Sequence, residues 1–139
     1  MKTCELVLIS SRKNIPAIDP TLKKIESETN FDKDKFRNLE IAVSEIVANS
    51  IVHGNKENPN KKVSLVFCYD ENMIEVKISD EGNGFNMQSI PDPTEDENIF
   101  KESGRGIYIA KSLVDEFSYK HTGKGSEFVV KIYKNKQEV

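Results

Sequence analysis

The stretch "SEIVANSIVH" (44–53) is mostly Ile, Val and Ala, yet it carries Glu45, Asn49 and His53 at intervals of four. Residues four apart share a helix face, so an acid, an amide and an imidazole would stand in one column on an otherwise apolar segment. A solvated stripe on an amphipathic helix accounts for such a column. So does chemistry. An Asn side-chain oxygen can ligate Mg²⁺, which prefers oxygen ligands and keeps waters when bound to phosphates. A carboxylate one turn away can orient or deprotonate an attacking hydroxyl.

Glycine placement adds a second signal. Six of the seven glycines form pairs two residues apart: Gly82/Gly84, Gly104/Gly106 and Gly123/Gly125. Turns use such pairs routinely, and "TGKGSE" reads as a hairpin. "SGRGIY" instead precedes a predicted helix, whose free N–H groups and dipole attract phosphate. "SDEGNGF" follows a predicted strand directly. A calcium loop starting at Asp80 would want acids or amides where Gly82 and Gly84 stand. The Rossmann and P-loop spacings are both absent.

The elements that must carry these residues follow from periodicity. "CELVLIS" (4–10) reads as a strand. "DPTLKKIESET" reads as a helix, with Asp19 as N-cap and Pro20 at the first helical position. A second helix starts near Asp32 or Asp34 and runs to Val52, with Phe36, Leu39, Val43, Ile46 and Val47 at helical spacing and Gly54 as a C-terminal cap. "KKVSLVFCYD" and "NMIEVKISD" are strands joined by a turn at Asp70–Asn72, the latter with Ile74, Val76 and Ile78 alternating with polar residues. Residues 85–103 show no sustained pattern and read as a lid. It carries Asp92, Glu95, Asp96, Glu97 and Glu102 beside Lys101 and Arg105. A helix over 106–117 and strands near 118–121 and over 127–133 close the chain. The expected fold is α+β: a two-layer sandwich with a mixed, mainly antiparallel sheet and helices on one face, in a single domain spanning 1–139.

Composition excludes several functions. A net charge of −3 with mixed signs gives no footprint for nucleic acid or for a membrane surface. No apolar run approaches the ~20 residues of a membrane helix, and no signal peptide opens the chain, so a cytoplasmic protein is expected. Cys4 and Cys68 match no metal spacing and read as buried strand thiols. His53 and His121 have no Cys or His neighbours in sequence.

Taken together the motifs resemble those of the GHKL ATPases, which share the Bergerat ATP-binding fold. "EIVAN" (45–49) is similar to the N box, "DEGNGF" (80–85) to the first glycine box, "GRGI" (104–107) to the second and "GKGSEF" (123–128) to the third, in the family's order and over nearly the whole chain. The short form and "ANSIVHG" resemble the bacterial anti-sigma-factor serine kinases of the RsbW type. The resemblance implies that ATP and Mg²⁺ bind against the sheet and that a phosphoryl group passes to a serine of an anti-anti-sigma (STAS-domain) partner. It also implies competition between that partner and a sigma factor, and a homodimer. It implies Glu45 as general base, Asn49 as Mg²⁺ ligand and Asp80 as acceptor for the adenine amino group. Gly82 and Gly84 would admit the base. Gly104, Arg105 and Gly106 would meet the phosphates at a helix N-terminus, and Ser126 would keep a hydroxyl where the family usually has Thr. His53, Phe85 and Ile107 fall within or beside the same motifs and complete the expected nucleotide site.

Two other readings fit these residues less well. A module that uses ATP only to set its shape would sequester a partner without transfer and would have no need of a base at Glu45. The ATPase half of a larger machine would need a transducer domain after the last strand.

Overall fold

The computed structural model describes residues 1–82 and 102–135, the side chains of 102–104 excepted. Gly84, Phe85 and most of the expected lid lie outside the described residues. Strands β1 (Lys2–Ile9), β2 (Lys62–Tyr69), β3 (Met73–Asp80), β4 (Glu116–Thr122) and β5 (Gly125–Tyr133) form one sheet in the order β1-β2-β3-β5-β4. All four pairings among the described residues are antiparallel, in keeping with the mainly antiparallel sheet expected. Helices α1 (Asp19–Thr29), α2 (Lys33–Asn49) and α3 (Glu102–Leu113) complete the α+β layer arrangement. No described helix is long and apolar enough to cross a membrane.

Register decides what the helices cover. Phe67, Val76 and Val130 stand opposite one another across β2, β3 and β5, as do Leu65, Ile78 and Phe128, and all six are fully buried. The next row along the same face is polar: Asp80 faces Ser126, which faces His121 of β4. The apolar side of the sheet therefore ends in an acid, a hydroxyl and an imidazole.

Helix α2 forms where its pattern says. Asp32 caps it, its side chain accepting from the Lys35 N–H at 3.1 Å. Phe36, Leu39, Val43, Ile46 and Val47 are all buried. Each such side chain contributes roughly 1.5–3 kcal/mol, more than local propensity supplies, so packing holds this helix. Lys35 pairs with Asp115 just past α3 at 2.9 Å, while Gly106 near the start of α3 lies against Asn49. The two helices thus run antiparallel.

Three helices depart from expectation. A 3₁₀ helix, Arg12–Ile18, runs straight into α1, so Asp19 is already helical and makes no side-chain cap. Helix α2 stops at Asn49 and widens into a π-turn, Ser50–Gly54, closed by the Asn55 N–H to the Ser50 carbonyl at 2.8 Å. Helix α3 spans 102–113 rather than 106–117, and its end gives way to β4, where Asp115 receives the Tyr133 N–H at 2.7 Å. Cys4 and Cys68 are free and lie in strands as expected, but half-buried: Cys4 on the edge strand β1, Cys68 on β2 opposite Thr3.

Candidate active site

Glu45, Asn49 and His53 do share a face: together with Ala48, Val52 and the 3₁₀-helix residues Arg12 and Ile15 they line one cleft. The Asn49 amide is oriented by its own helix. Nδ2 donates to the Glu45 carbonyl at 2.9 Å, which leaves Oδ1 turned away. That oxygen is buried and has no hydrogen-bond partner among the described residues. An unpaired buried acceptor costs about 1–3 kcal/mol, and native proteins keep few of them. One that sits a helical turn from a carboxylate is suited to a hard cation.

Asp80 ends β3 and is 4% exposed. Its Oδ1 accepts the Gly82 N–H at 2.9 Å, whereas Oδ2 is buried without a hydrogen-bond partner among the described residues. Burial pushes the carboxyl above its ordinary value. The Gly82 N–H, the nearby Ser50 hydroxyl, the Ser126 backbone and the charge of His121 pull it back in part. The result is an acceptor already stripped of water and aimed at a ligand donor.

The two halves of the site touch through glycines. A side-chain carbon on Gly54 would lie 2.7 Å from Asp80 Oδ2, and one on Gly82 only 2.2 Å from the Gly54 carbonyl oxygen. Gly54 is therefore needed for contact inside the π-turn, not as the left-handed cap expected of it. Gly104 and Gly106 lie inside the first turns of α3 rather than before it, since the helix begins earlier. A carbon on Gly106 would stand 2.6 Å from Asn49 Nδ2 and 2.9 Å from Glu45 Oε2. The absence of a side chain there lets the start of α3 lie flush on the acid and the amide. Arg105 is exposed on the same turn and Ile107 is buried in the core.

Sequence reasoning missed several participants. Ser50 is fully buried, with a hydroxyl that lacks a hydrogen-bond partner among the described residues. Asn55 is 1% exposed and fully engaged: its Nδ2 donates to Ser10 Oγ at 2.8 Å and the Lys62 carbonyl at 3.0 Å, and its Oδ1 accepts the Glu81 N–H at 2.8 Å. It ties the exit of β3 to the start of β2 and the end of β1. Tyr119 and His121 of β4 reach Ser126 at 3.2 and 3.4 Å. The run "SIVHGN" directly after the N box was the available signal for Ser50 and Asn55. His121 carried none, because only strand register brings it to Asp80.

A buried acceptor for a base amino group, a buried amide oxygen for a cation and a carboxylate beside it fit ATP with Mg²⁺. Comparison with known proteins supports the nucleotide. Residues 10–132 match the family described as histidine kinase-like ATPase domain. The chain is 34% identical over 104 residues to the serine-protein kinase RsbW of Bacillus subtilis (strain 168), covering 69% of this chain and 64% of that protein. It is 33% identical over 127 residues to the serine-protein kinase RsbW of Staphylococcus aureus (strain JH9), covering 86% and 80% respectively. Among solved structures, the RsbU and RsbW domains of Rv1364c from Mycobacterium tuberculosis superpose with a TM-score of 0.68 at 15% identity, over 95% of this chain and 32% of that one. The catalytic domain of the histidine kinase ThkA gives 0.57 at 14% identity, over 96% and 99%. At such identities the structural likeness speaks for the fold alone.

Proposed function

The chain belongs to the histidine kinase-like ATPase domain family, and from that premise we propose that it is an ATP-dependent serine-protein kinase acting as an anti-sigma factor. Its substrates are ATP and a serine on a STAS-domain anti-anti-sigma partner, and its second partner is a sigma factor that competes for the same protein. It acts in the cytoplasm, where ATP is supplied. The observation that carries the reading is the pair of buried acceptors without partners among the described residues, Asn49 Oδ1 and Asp80 Oδ2. One suits the metal of a metal–nucleotide complex and the other its base.

Phosphoryl transfer asks a protein mostly for positioning and charge. Asp80 and Ser126 orient the base. Asn49 would hold Mg²⁺, which neutralises phosphate charge when bound. Gly106 keeps the α3 N-terminus close enough for its N–H groups to face the phosphates. Glu45, at the mouth of the cleft, takes the proton of the incoming serine hydroxyl as that oxygen bonds to the γ-phosphorus and the bond to ADP breaks.

The test separates binding from transfer. Glu45→Gln should bind Mg-ATP in a calorimetric titration as wild type does, yet phosphorylate the partner at least ~100-fold more slowly, the usual worth of a general base. Transfer at the wild-type rate would remove Glu45 from that role. A partner complex that forms with ATP but never yields a phosphoprotein would replace the kinase with a sequestering module.

A further inference from the structure

Building on the adenine-nucleotide reading, we propose that Tyr119 and His121 are positioning residues that hold the Ser126 hydroxyl as a hydrogen-bond donor and thereby make the site select adenine over a 6-oxopurine. Ser126 is 3% exposed and stands directly opposite Asp80 on one side and His121 on the other. Its Oγ lies 3.2 Å from the Tyr119 hydroxyl and 3.4 Å from His121 Nδ1. The Tyr119 ring is fixed against the buried Phe128, with centroids 4.7 Å apart.

A serine hydroxyl has one proton and two lone pairs. In the proposed arrangement the Tyr119 O–H and the Nδ1–H tautomer of His121 both donate to it, which fills the lone pairs and leaves the single proton for a ligand. The polar row then presents an acceptor, Asp80 Oδ2, followed by a donor, Ser126. Adenine offers the complement: an amino donor beside an unprotonated ring nitrogen. A 6-oxopurine offers a carbonyl beside a ring N–H and mismatches both groups. Without Tyr119 and His121 the Ser126 hydroxyl is free to turn and accept, and its share of the discrimination disappears. Neither residue need touch the base itself.

The experiment is a calorimetric comparison of Mg-ATP with Mg-inosine triphosphate on the full chain. The proteins are wild type, Tyr119→Phe, and the Tyr119→Phe/His121→Ala double variant, each also in a Ser126→Ala background. The preference for ATP over inosine triphosphate should fall about tenfold in the double variant, the worth of one hydrogen bond to a buried group. It should not fall further once Ser126 is already Ala. A merely structural role would weaken both nucleotides together and leave the ratio unchanged. An unchanged ratio in a double variant that melts at the wild-type temperature overturns the proposal, as does an equal fall in the Ser126→Ala background. Should the double variant fail to fold, Tyr119→Phe keeps the ring packing and must by itself lower the ratio severalfold. Wild type that binds neither nucleotide would sink the adenine-site reading along with this one. Wild type that binds ATP, with ratios unmoved by the substitutions, would sink this one alone.

Discussion

At the scale of single residues, the site is organised around groups that cost the folded protein something. Asn49 Oδ1, Ser50 Oγ and Asp80 Oδ2 are buried and without partners among the described residues, where a protein selected for stability alone would pair or remove them. Asp80 makes the cost measurable. Its folded-state pKa is raised from 3.8 by burial, so the folded form binds more protons than the unfolded form across that window. Its contribution to stability is therefore best at low pH. It is lost as pH rises from about the unfolded value through the folded one, and stays lost at neutral pH. Asp80→Asn should accordingly melt at or above the wild-type temperature at pH 7 while losing ATP binding. Its advantage should shrink as pH falls toward 4. Melting curves from pH 4 to 7.5, paired with ATP titrations, check both halves; an Asn variant clearly less stable at pH 7 contradicts the argument.

Elements bring those residues together by an irregularity. The four-residue spacing suggests an α-helix continued past Asn49, and His53 does stay on the cleft that Glu45 and Asn49 line. The π-turn instead widens the chain so that Gly54 meets the Asp80 carboxylate, and π-turns of this kind recur at functional sites. Asn55 locks the arrangement with three hydrogen bonds to two strand ends and the β3 exit. Asn55→Ala leaves the buried Ser10 hydroxyl and the part-buried Glu81 N–H and Lys62 carbonyl without it, which should destabilise the protein by about 2–4 kcal/mol and weaken ATP binding by loosening the Asp80–Gly82 turn. Denaturant unfolding and nucleotide titration of that variant test the two effects together. A variant within 0.5 kcal/mol of wild type, roughly the scatter of neutral surface changes, would mean the clamp is dispensable.

At the scale of the whole molecule, the helices cover one side of the sheet and β1 stands at its edge. The apolar side chains of α1 are spent in the core, with Leu22 and Ile25 both buried. On the opposite side of the sheet Val7 and Ile9 are 57% and 51% exposed, neighbours on one face of an edge strand. Val7→Asp/Ile9→Asp should bind Mg-ATP as wild type does, because both residues stand on the sheet face away from the site; loss of binding in a variant that melts at the wild-type temperature would contradict that placement.

The sequence by itself determined the layers, the strands, the helix that carries Glu45 and Asn49, and the order of the nucleotide motifs. All of these rest on local periodicity and on residue types whose chemistry is visible at short range. It could not show that α2 ends in a π-turn, that the 3₁₀ helix leads into α1, or that α3 begins before its glycines. Those boundaries are set by contacts with distant elements: Asp80 on Gly54, and Asn49 and Glu45 on Gly106. Nor could it show that His121 belongs beside Asp80. Only the pairing of β3 with β5, and of β5 with β4, lays an acid, a hydroxyl and an imidazole in one row, because register across a sheet has no counterpart along the chain.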